Sequence, residues 1–224
     1  MFVTLTSPVI SVLGGVWGLL ALATAVVWRL APAPDSELRQ RVRSWWLIVA
    51  LCSLALTFNR VAALLFFGLV SFLALKEYLT LIPTRQADRR VLFWAYLAIP
   101  VQFWWFGIGW YGMFVIFVPV YMFLFLPLPM LIVGETQGYL RAVATLHWGL
   151  MTTVFSVGHA AFLLVLPESG NPGAGGAGLL LFLLIVTELN DVAQFVSGKL
   201  LGRHRLLPKV SPKKTWEGFV GGLV

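Results

Sequence analysis

The stretch LLLFLLIVTELNDVAQFVSGK, residues 179–199, decides the fold of this chain because it is long and apolar enough to cross a membrane. A spanning helix needs about 20 mostly apolar residues, since its backbone polar groups must be satisfied internally across roughly 30 Å of hydrocarbon. The rest of the chain has the same character, with 59% hydrophobic and only 11% charged residues among 224. An ordinary soluble domain has about 25% charged residues. The composition therefore predicts an integral membrane protein.

Further apolar runs predict an all-α fold, a polytopic transmembrane helical bundle of about seven spans. The predicted helices cover residues 9–29, 44–58, 61–82, 91–107, 110–128, 142–166 and 179–197, and the start of an eighth is expected near Gly218. The 44–58 segment is short and is separated from the next only by Asn59 and Arg60, so the two form either a tight hairpin or one kinked pair. We expect residues 1–224 to form a single integral membrane domain, with 198–217 as its basic loop.

Lysine and arginine accumulate in alternate connections of this predicted bundle. Because short cationic loops are retained in the cytoplasm, we expect these connections to be cytoplasmic and the N-terminus to lie outside. The net charge of +7 then mostly reflects the orientation of the protein in the membrane. No module of aromatic and basic residues outside the spans indicates nucleic-acid binding. The cations concerned are Arg29, Arg39, Arg41, Arg43, Arg85, Arg89, Arg90, Arg141 and the cluster that follows residue 197.

Two carboxylates, Glu188 and Asp191, interrupt the apolar stretch 179–199. Ionisable groups at membrane depth are costly, so by default they face a bundle interior or a wet cavity and mark a functional site. Their spacing places them on one helix face with Gln194 or Phe195 and with Gly198. Such hard oxygen ligands suit Mg²⁺. The alternative is that both carboxylates are neutral, or paired with a basic residue of another helix, and hold the bundle together.

The segment GKLLGRHRLLPKVSPKKTWEG, residues 198–218, carries six cations against the single Glu217. Lysine and arginine neutralise phosphate oxygens, and Ser211 or Thr215 can cap a helix whose free N–H groups also attract phosphate. The segment therefore suits a phosphorylated head group or a nucleotide, although it lacks the G-x-x-x-x-G-K-[ST] spacing of a Walker A loop. The alternative is a cytoplasmic anchor that touches anionic head groups, at about 1 kcal/mol per cation.

Residues 190–222, NDVAQFVSGKLLGRHRLLPKVSPKKTWEGFVGG, resemble the cytoplasmic segment of the phosphatidate cytidylyltransferase (CDP-diacylglycerol synthase) family. The matching positions are Asp191, Ala193, Gly198, Lys199, Gly202, Arg203, His204, Ser211, Pro212, Lys214, Thr215, Glu217 and Gly218. Upstream, ALKEYLTLIPTRQADRR and GYLRAVATLHWGLM also resemble a branch of that family, so the similarity covers most of the chain.

This resemblance implies nucleotidyl transfer from CTP to phosphatidate, giving CDP-diacylglycerol and pyrophosphate in a bacterial inner membrane. It implies catalytic roles for Asp191, Lys214 and Glu217, with Glu217 orienting Lys214 or a metal-bound water. Mg²⁺ is the implied cofactor, and Asp191 and Glu188 are its expected ligands. The implied substrate-binding residues are Lys199, Arg203, Ser211, Lys213 and Thr215. CTP, phosphatidate and the bilayer are the expected partners, and a homodimer is left open.

Two features depart from the family pattern. Many bacterial members read Asp-Thr-Gly-Ala-Tyr where this chain reads Asp191, Val192, Ala193, Gln194, which indicates a divergent branch and leaves the lipid preference open. The family's downstream signature, which supplies acidic metal ligands, is absent because the sequence stops at Val224. We therefore expect the N-terminal portion of a longer enzyme, inactive by itself. The alternatives are a non-catalytic membrane protein or remnant whose basic loop binds anionic head groups, and a transporter, for which no convincing repeat is seen.

Overall fold

The computed structural model describes residues 6–30, 36–57, 60–82, 89–166, 171 and 173–223. These residues are mostly helical, and six helices are long and apolar enough to cross a membrane. The protein is therefore an all-α, polytopic integral membrane protein, which confirms the predicted fold class. The elements are α1 (Ser7–Leu30), α2 (Glu37–Thr57), α3 (Arg60–Leu81), α4 (Arg89–Ile108), α5 (Tyr111–Ile132), α6 (Tyr139–Val165), α7 (Gly175–Leu201), β1 (Arg205–Leu207), β2 (Ser211–Thr215) and α8 (Trp216–Gly221).

Helix α2 accounts for the difference between the predicted count of about seven spans and the six found among the described residues. Residues 44–57 of the predicted segment 44–58 lie within α2, and residue 58 lies outside the described residues. The helix begins earlier than predicted, at Glu37, and so takes in Arg39, Arg41 and Arg43. Its apolar part, 44–57, covers only about 21 Å at 1.5 Å per residue, less than the roughly 30 Å of hydrocarbon. The start of the last helix, predicted near Gly218, is found at Trp216.

Two tryptophan side chains form hydrogen bonds between α1 and α2. The indole N–H of Trp17 donates to the hydroxyl of Ser53 at 3.1 Å. The indole N–H of Trp46 donates to the hydroxyl of Thr24 at 2.9 Å, and the rings of Trp17 and Trp46 lie 5.4 Å apart. An indole N–H inside an apolar layer needs such a partner, so these bonds fix the register of the two helices.

Helices α5 and α6 each contain a π-helical turn, at Phe117–Met122 and Met151–Phe155. The turn in α5 contains Pro119, whose nitrogen cannot donate the intrahelical bond. Just before it, the fully buried Gln102 of α4 donates from Nε2 to the carbonyl of Phe114 at 2.9 Å. A neighbouring side chain thus supplies an extra donor where the helix becomes irregular, a common way for a membrane bundle to tolerate proline.

A glycine allows α6 to approach α3 closely. A Cβ placed on Gly149 would overlap the ring of Tyr78. The hydroxyl of Tyr78 donates to the carbonyl of Thr145 at 2.8 Å, one turn before that glycine. Lipid tails are as apolar as the side chains of a membrane helix, so the hydrophobic effect does not drive helices together there. Close packing through small residues is the usual basis of helix contacts in membranes.

Contacts divide the chain into two units, Met1–Ala177 and Gly178–Val224. The first contains α1 to α6, and the second contains most of α7 with the two strands and α8. Strands β1 and β2 pair antiparallel, with Arg205 opposite Thr215 and Leu207 opposite Ser211. The segment predicted as a basic loop thus contains an ordered β-hairpin. The single membrane domain over residues 1–224 stays a prediction.

Candidate functional site at the end of helix α7

Glycine residues bring α8 into close contact with α7. Gly218 is buried, and a Cβ placed on it would lie 2.9 Å from the carbonyl oxygen of Gln194 and 3.1 Å from the Cα of Gly198. Contacts this short to backbone atoms leave room only for hydrogen, so a larger residue would push α8 away. The glycines of the motif therefore serve packing.

Two amides of α7 hold the end of α8. Asn190 donates from Nδ2 to the carbonyl of Gly222 at 2.6 Å, and Gln194 donates from Nε2 to Oδ1 of Asn190. The residues that were predicted to share one polar face of α7 therefore have two different environments. Gln194 and Gly198 pack against α8, whereas Glu188 and Asp191 are exposed and form no ion pair with any residue in the described ranges. The carboxylates are thus not used to hold this unit together.

Thr215 joins β2, α8 and the end of α7. Its hydroxyl accepts from the N–H of Gly218 at 3.2 Å and so caps α8, which confirms one of the two predicted caps. On the other side, a Cβ placed on Gly202 would lie 2.9 Å from the same hydroxyl oxygen and would overlap the carbonyl of Gly198. The base of the hairpin is therefore fixed against the last turn of α7.

Glu217 holds the turn that follows α7. Its Oε2 accepts from the backbone N–H groups of Arg203 at 3.1 Å and His204 at 3.2 Å, and its Oε1 lies 2.7 Å from Nδ1 of His204. The hydrogen bond from the His204 ring, followed by backbone N–H bonds, lowers the pKa of Glu217 to about 2. Within residues 173–223 no hydrogen bond or ion pair joins Glu217 to Lys214, and the catalytic role of Glu217 stays a prediction.

His204 is a residue of this site to which the sequence assigned no role. It lies 13 residues before Glu217. Spacing along the chain could not reveal the pair because it depends on how the hairpin turns back. The one available signal was the place of both residues in the motif of residues 190–222.

Four predicted phosphate-binding cations belong to the two chain segments that meet at the contact between Thr215 and Gly202. Lys199 and Arg203 lie within three residues of Gly202, and Lys213 and Lys214 directly precede Thr215. All four are exposed, and none forms an ion pair with any residue of the described part of the chain. The structure therefore leaves these charges available for an anionic ligand.

Lys199 extends back along α7 toward the carboxylates. Its Nζ lies 5.1 Å from the centroid of the Phe195 ring, one turn nearer to Asp191. This direction is the usual one for a helical side chain, which points toward the helix N-terminus. Asp191 and Lys199 are eight residues apart, about 12 Å along the axis, and the direction of the Lys199 side chain brings its charge nearer to Asp191 than this backbone separation.

Glu188 and Asp191 lie one turn apart on α7, both exposed. Among the described residues no group of three or more His, Cys, Asp or Glu side chains could hold a metal. Mg²⁺ sites in nucleotide enzymes often use only one or two carboxylates, with water and substrate phosphates as the other ligands. Glu188 and Asp191 fit such a site, in which the protein supplies only two of the ligands.

Ser211 lies at the other end of β2, about 13 Å from Thr215 at the usual rise of a strand.

Comparison with known proteins agrees with the resemblance seen in the motif. Residues 39–224 match the model of the cytidylyltransferase family. The chain is 42% identical over 216 residues to the uncharacterized protein YnbB of Escherichia coli (strain K12), a match that covers 95% of this chain and 70% of YnbB. No solved structure matches it.

Phosphatidate cytidylyltransferases match over shorter stretches. The enzyme of Mycobacterium leprae is 40% identical over 89 residues, which cover 39% of this chain and 26% of that protein. The enzyme of Staphylococcus saprophyticus is 47% identical over 49 residues, 22% of this chain and 19% of that protein. The matched part is thus about a quarter or less of each enzyme. Because the family model matches most of its length, the chain belongs to the cytidylyltransferase family.

Proposed function

We propose that this protein is a membrane nucleotidyltransferase that transfers a cytidylyl group from CTP to phosphatidate, forming CDP-diacylglycerol and releasing pyrophosphate. Membership of the cytidylyltransferase family and the partial likeness to phosphatidate cytidylyltransferases support the reaction class. One structural observation carries the proposal to particular residues. The contact of Thr215 with Gly202 brings together two chain segments that carry four exposed cations, unpaired with any described residue, at the end of a helix of spanning length.

The proposed reaction requires little covalent chemistry from the protein. A phosphate oxygen of phosphatidate attacks the α-phosphorus of CTP, the bond from that phosphorus to the bridging oxygen breaks, and pyrophosphate leaves. The protein contributes positioning and neutralisation of the phosphate charge. We assign this task to the cations of the site, with charge-assisted hydrogen bonds to phosphate oxygens. These residues are Lys199, Arg203, Lys213 and Lys214.

The hydroxyls and carboxylates have separate proposed roles. Thr215 accepts a hydrogen bond from Gly218 and can still donate its own proton to a phosphate oxygen. Ser211 would donate nearer the tip of the hairpin. Glu188 and Asp191 would hold Mg²⁺ together with phosphate oxygens. When bound, Mg²⁺ would neutralise charge on the triphosphate and favour departure of pyrophosphate.

The proposed site suits a substrate that stays in the membrane. Helix α7 is 27 residues long, about 40 Å, which exceeds the hydrocarbon thickness, so its end reaches the polar layer. Phosphatidate can present its phosphate there while its acyl chains remain in the bilayer. We propose that this end is cytoplasmic and that the membrane is the bacterial inner membrane. The reason is that lysine and arginine accumulate in alternate connections of the bundle, including the segment that follows α7.

Synthesis of CDP-diacylglycerol by the purified protein tests the proposal. The protein would be expressed from its complete gene, placed in detergent with phosphatidate and Mg²⁺, and assayed for kcat/KM toward CTP. Lys214→Ala should lower kcat/KM by roughly 30- to 1000-fold, about 2–4 kcal/mol, because it removes a charge-assisted phosphate contact. Lys214→Arg should restore little, since its donors point differently.

Arg90→Ala is the matched control, because Arg90 is an exposed cation at the start of α4 that we assign only to topology. A head-group contact of about 1 kcal/mol limits its effect to about fivefold. Equal, mild effects of Lys214→Ala and Arg90→Ala would assign the basic segment to membrane anchoring. A folded protein that forms no CTP-dependent product would contradict the proposal as a whole.

A further inference from the structure

The tip of the β-hairpin, residues 206–210, exposes two apolar side chains beside a cation. Leu207 is 54% exposed and Val210 is 80% exposed, with the exposed Lys209 between them. The N–H of Val210 donates to the carbonyl of Leu207 at 3.1 Å and closes the turn. Both apolar side chains are thus held at the end of the hairpin opposite Thr215.

The proposed transfer reaction does not use the hairpin tip. Lys209 at the tip and Arg205, which lies opposite Thr215 at the base of the hairpin, form no ion pair with a described residue. Neither belongs to the cations assigned to phosphate binding. Exposed apolar side chains flanked by unpaired lysine and arginine are the composition of segments that lie in a membrane interface with anionic lipid.

The hairpin is attached at the end of α7, which is long enough to reach the polar layer of the membrane. The base of the hairpin touches the last turn of α7 at Thr215 and Gly202. A strand rises about 3.3 Å per residue, so Ser211, which directly follows the tip, lies about 13 Å from Thr215 at this base. The head-group layer on each side of a bilayer is about 5–8 Å thick. The hairpin is longer than this layer is thick, so the tip reaches the layer when the hairpin lies along the membrane surface.

We infer that the hairpin tip docks on the surface of the membrane that α7 spans, as a lipid-binding element separate from the reaction centre. Leu207 and Val210 enter the interfacial layer, and Lys209 and Arg205 contact the phosphates of anionic phospholipids. This contact holds the hairpin against the bilayer, so that Lys213 and Lys214 stay at the height of lipid phosphates. The inference goes beyond the proposed reaction and does not require it.

A fluorescent label at the tip tests this contact without any assay of activity. Val210→Cys would be labelled with an environment-sensitive dye in a Cys52→Ala background, since Cys52 is the one cysteine of the chain. The labelled protein would be placed in nanodiscs of phosphatidylcholine with and without phosphatidylglycerol. We expect blue-shifted emission and weaker quenching by acrylamide in the anionic nanodiscs. High salt should reverse both changes, because the attraction is screened.

Charge variants identify the residues that carry the effect. Lys209→Gln and Arg205→Gln together should remove the dependence on phosphatidylglycerol, whereas Arg141→Gln, the exposed control cation in α6, should leave it unchanged. Equal emission and quenching in both kinds of nanodisc would overturn the inference. A blue shift of the same size in neutral detergent would overturn it too, because the label would then be packing on the protein itself.

Discussion

Glu217 accepts hydrogen bonds from two consecutive backbone N–H groups and from a histidine ring, all within the turn after α7. The backbone at Arg203 is therefore fixed by a carboxylate 14 residues away. Gly218 acts similarly, since it permits a close helix contact and provides no reactive group. At the residue scale, part of the family motif thus builds the frame of the site, while the cations beside it stay unpaired with the described residues.

Replacing Glu217 by glutamine tests this role as a positioning residue. The hydrogen bond from the His204 ring lowers the pKa of the Glu217 carboxyl from 4.5 to about 2 in the folded protein. A lowered pKa stabilises the fold above the unfolded value of 4.5, and this contribution is lost as the pH falls toward 2. Glu217→Gln should therefore lower the Tm near neutral pH, and the difference from the wild type should shrink in acid.

Thermal unfolding in detergent at a series of pH values measures this difference. Glu77→Gln is the control, because Glu77 is an exposed carboxylate of α3. Its Tm should stay close to that of the wild type throughout the series. If the Tm difference caused by Glu217→Gln were the same at pH 7 and at the acid end, the carboxylate would not hold the turn by its charge.

At the scale of elements, α7 presents two distinct surfaces within the second unit. One surface packs on α8 through Asn190, Gln194 and Gly198. Glu188 and Asp191 are exposed away from this contact, on the helix that also carries Lys199 over Phe195. A rotation of 100° per residue accounts for the division, because residues four apart stay on one side. The polar groups of α7 therefore serve both packing and the proposed ligand site.

Gly202→Ala should loosen the second unit. The added Cβ would overlap the backbone carbonyl of Gly198 and lie 2.9 Å from the hydroxyl of Thr215, and a backbone atom cannot move aside cheaply. Overpacking of this kind costs about 1–3 kcal/mol. Amide hydrogen exchange of residues 211–218, where the N–H of Trp216 donates to the carbonyl of His204, should become roughly 5- to 150-fold faster.

Gly15→Ala provides the matched control in α1. A Cβ placed on Gly15 meets no atom within 4 Å, so no clash opposes the gain of up to about 1 kcal/mol from a better helix former. Exchange of residues 211–218 should not change in this variant. Equal exchange rates in Gly202→Ala and the wild type would show that the base of the hairpin is not fixed against α7.

Local sequence signals predicted some of these elements and not others. Hydropathy located the spanning helices because each apolar run is continuous, and a hydroxyl at the right place predicted the Thr215 cap. The first third of α2 was not predicted as helix because its three arginines are typical of a loop outside the membrane. The hairpin was missed because Pro208, Pro212 and many charges disfavour a strand. The pairing of Glu217 with His204 depends on that hairpin, so no local pattern could reveal it.

At the scale of the whole molecule, the distribution of charge and the proposed chemistry require the same orientation. The connections rich in arginine and lysine are expected to be cytoplasmic, and the densest cluster follows α7. A soluble nucleotide would approach from that side, and a lipid phosphate would lie at the same height in the membrane. The proposed site therefore depends on α7 crossing the bilayer with its C-terminal end in the cytoplasm.

Reporter fusions test this orientation directly. A reporter inserted near Arg89 or Lys209 should be cytoplasmic, and one near Gly175 should lie on the opposite side. Gly175 and Leu201 begin and end a helix about 40 Å long, which exceeds the roughly 30 Å of hydrocarbon, so its two ends belong on different sides. Green fluorescent protein and alkaline phosphatase fused at the same positions should give opposite patterns, since they are active on opposite sides of a bacterial inner membrane. Finding Gly175 and Lys209 on one side would exclude α7 as a span, and the phosphate site at its end would then have no membrane surface at which to meet a lipid.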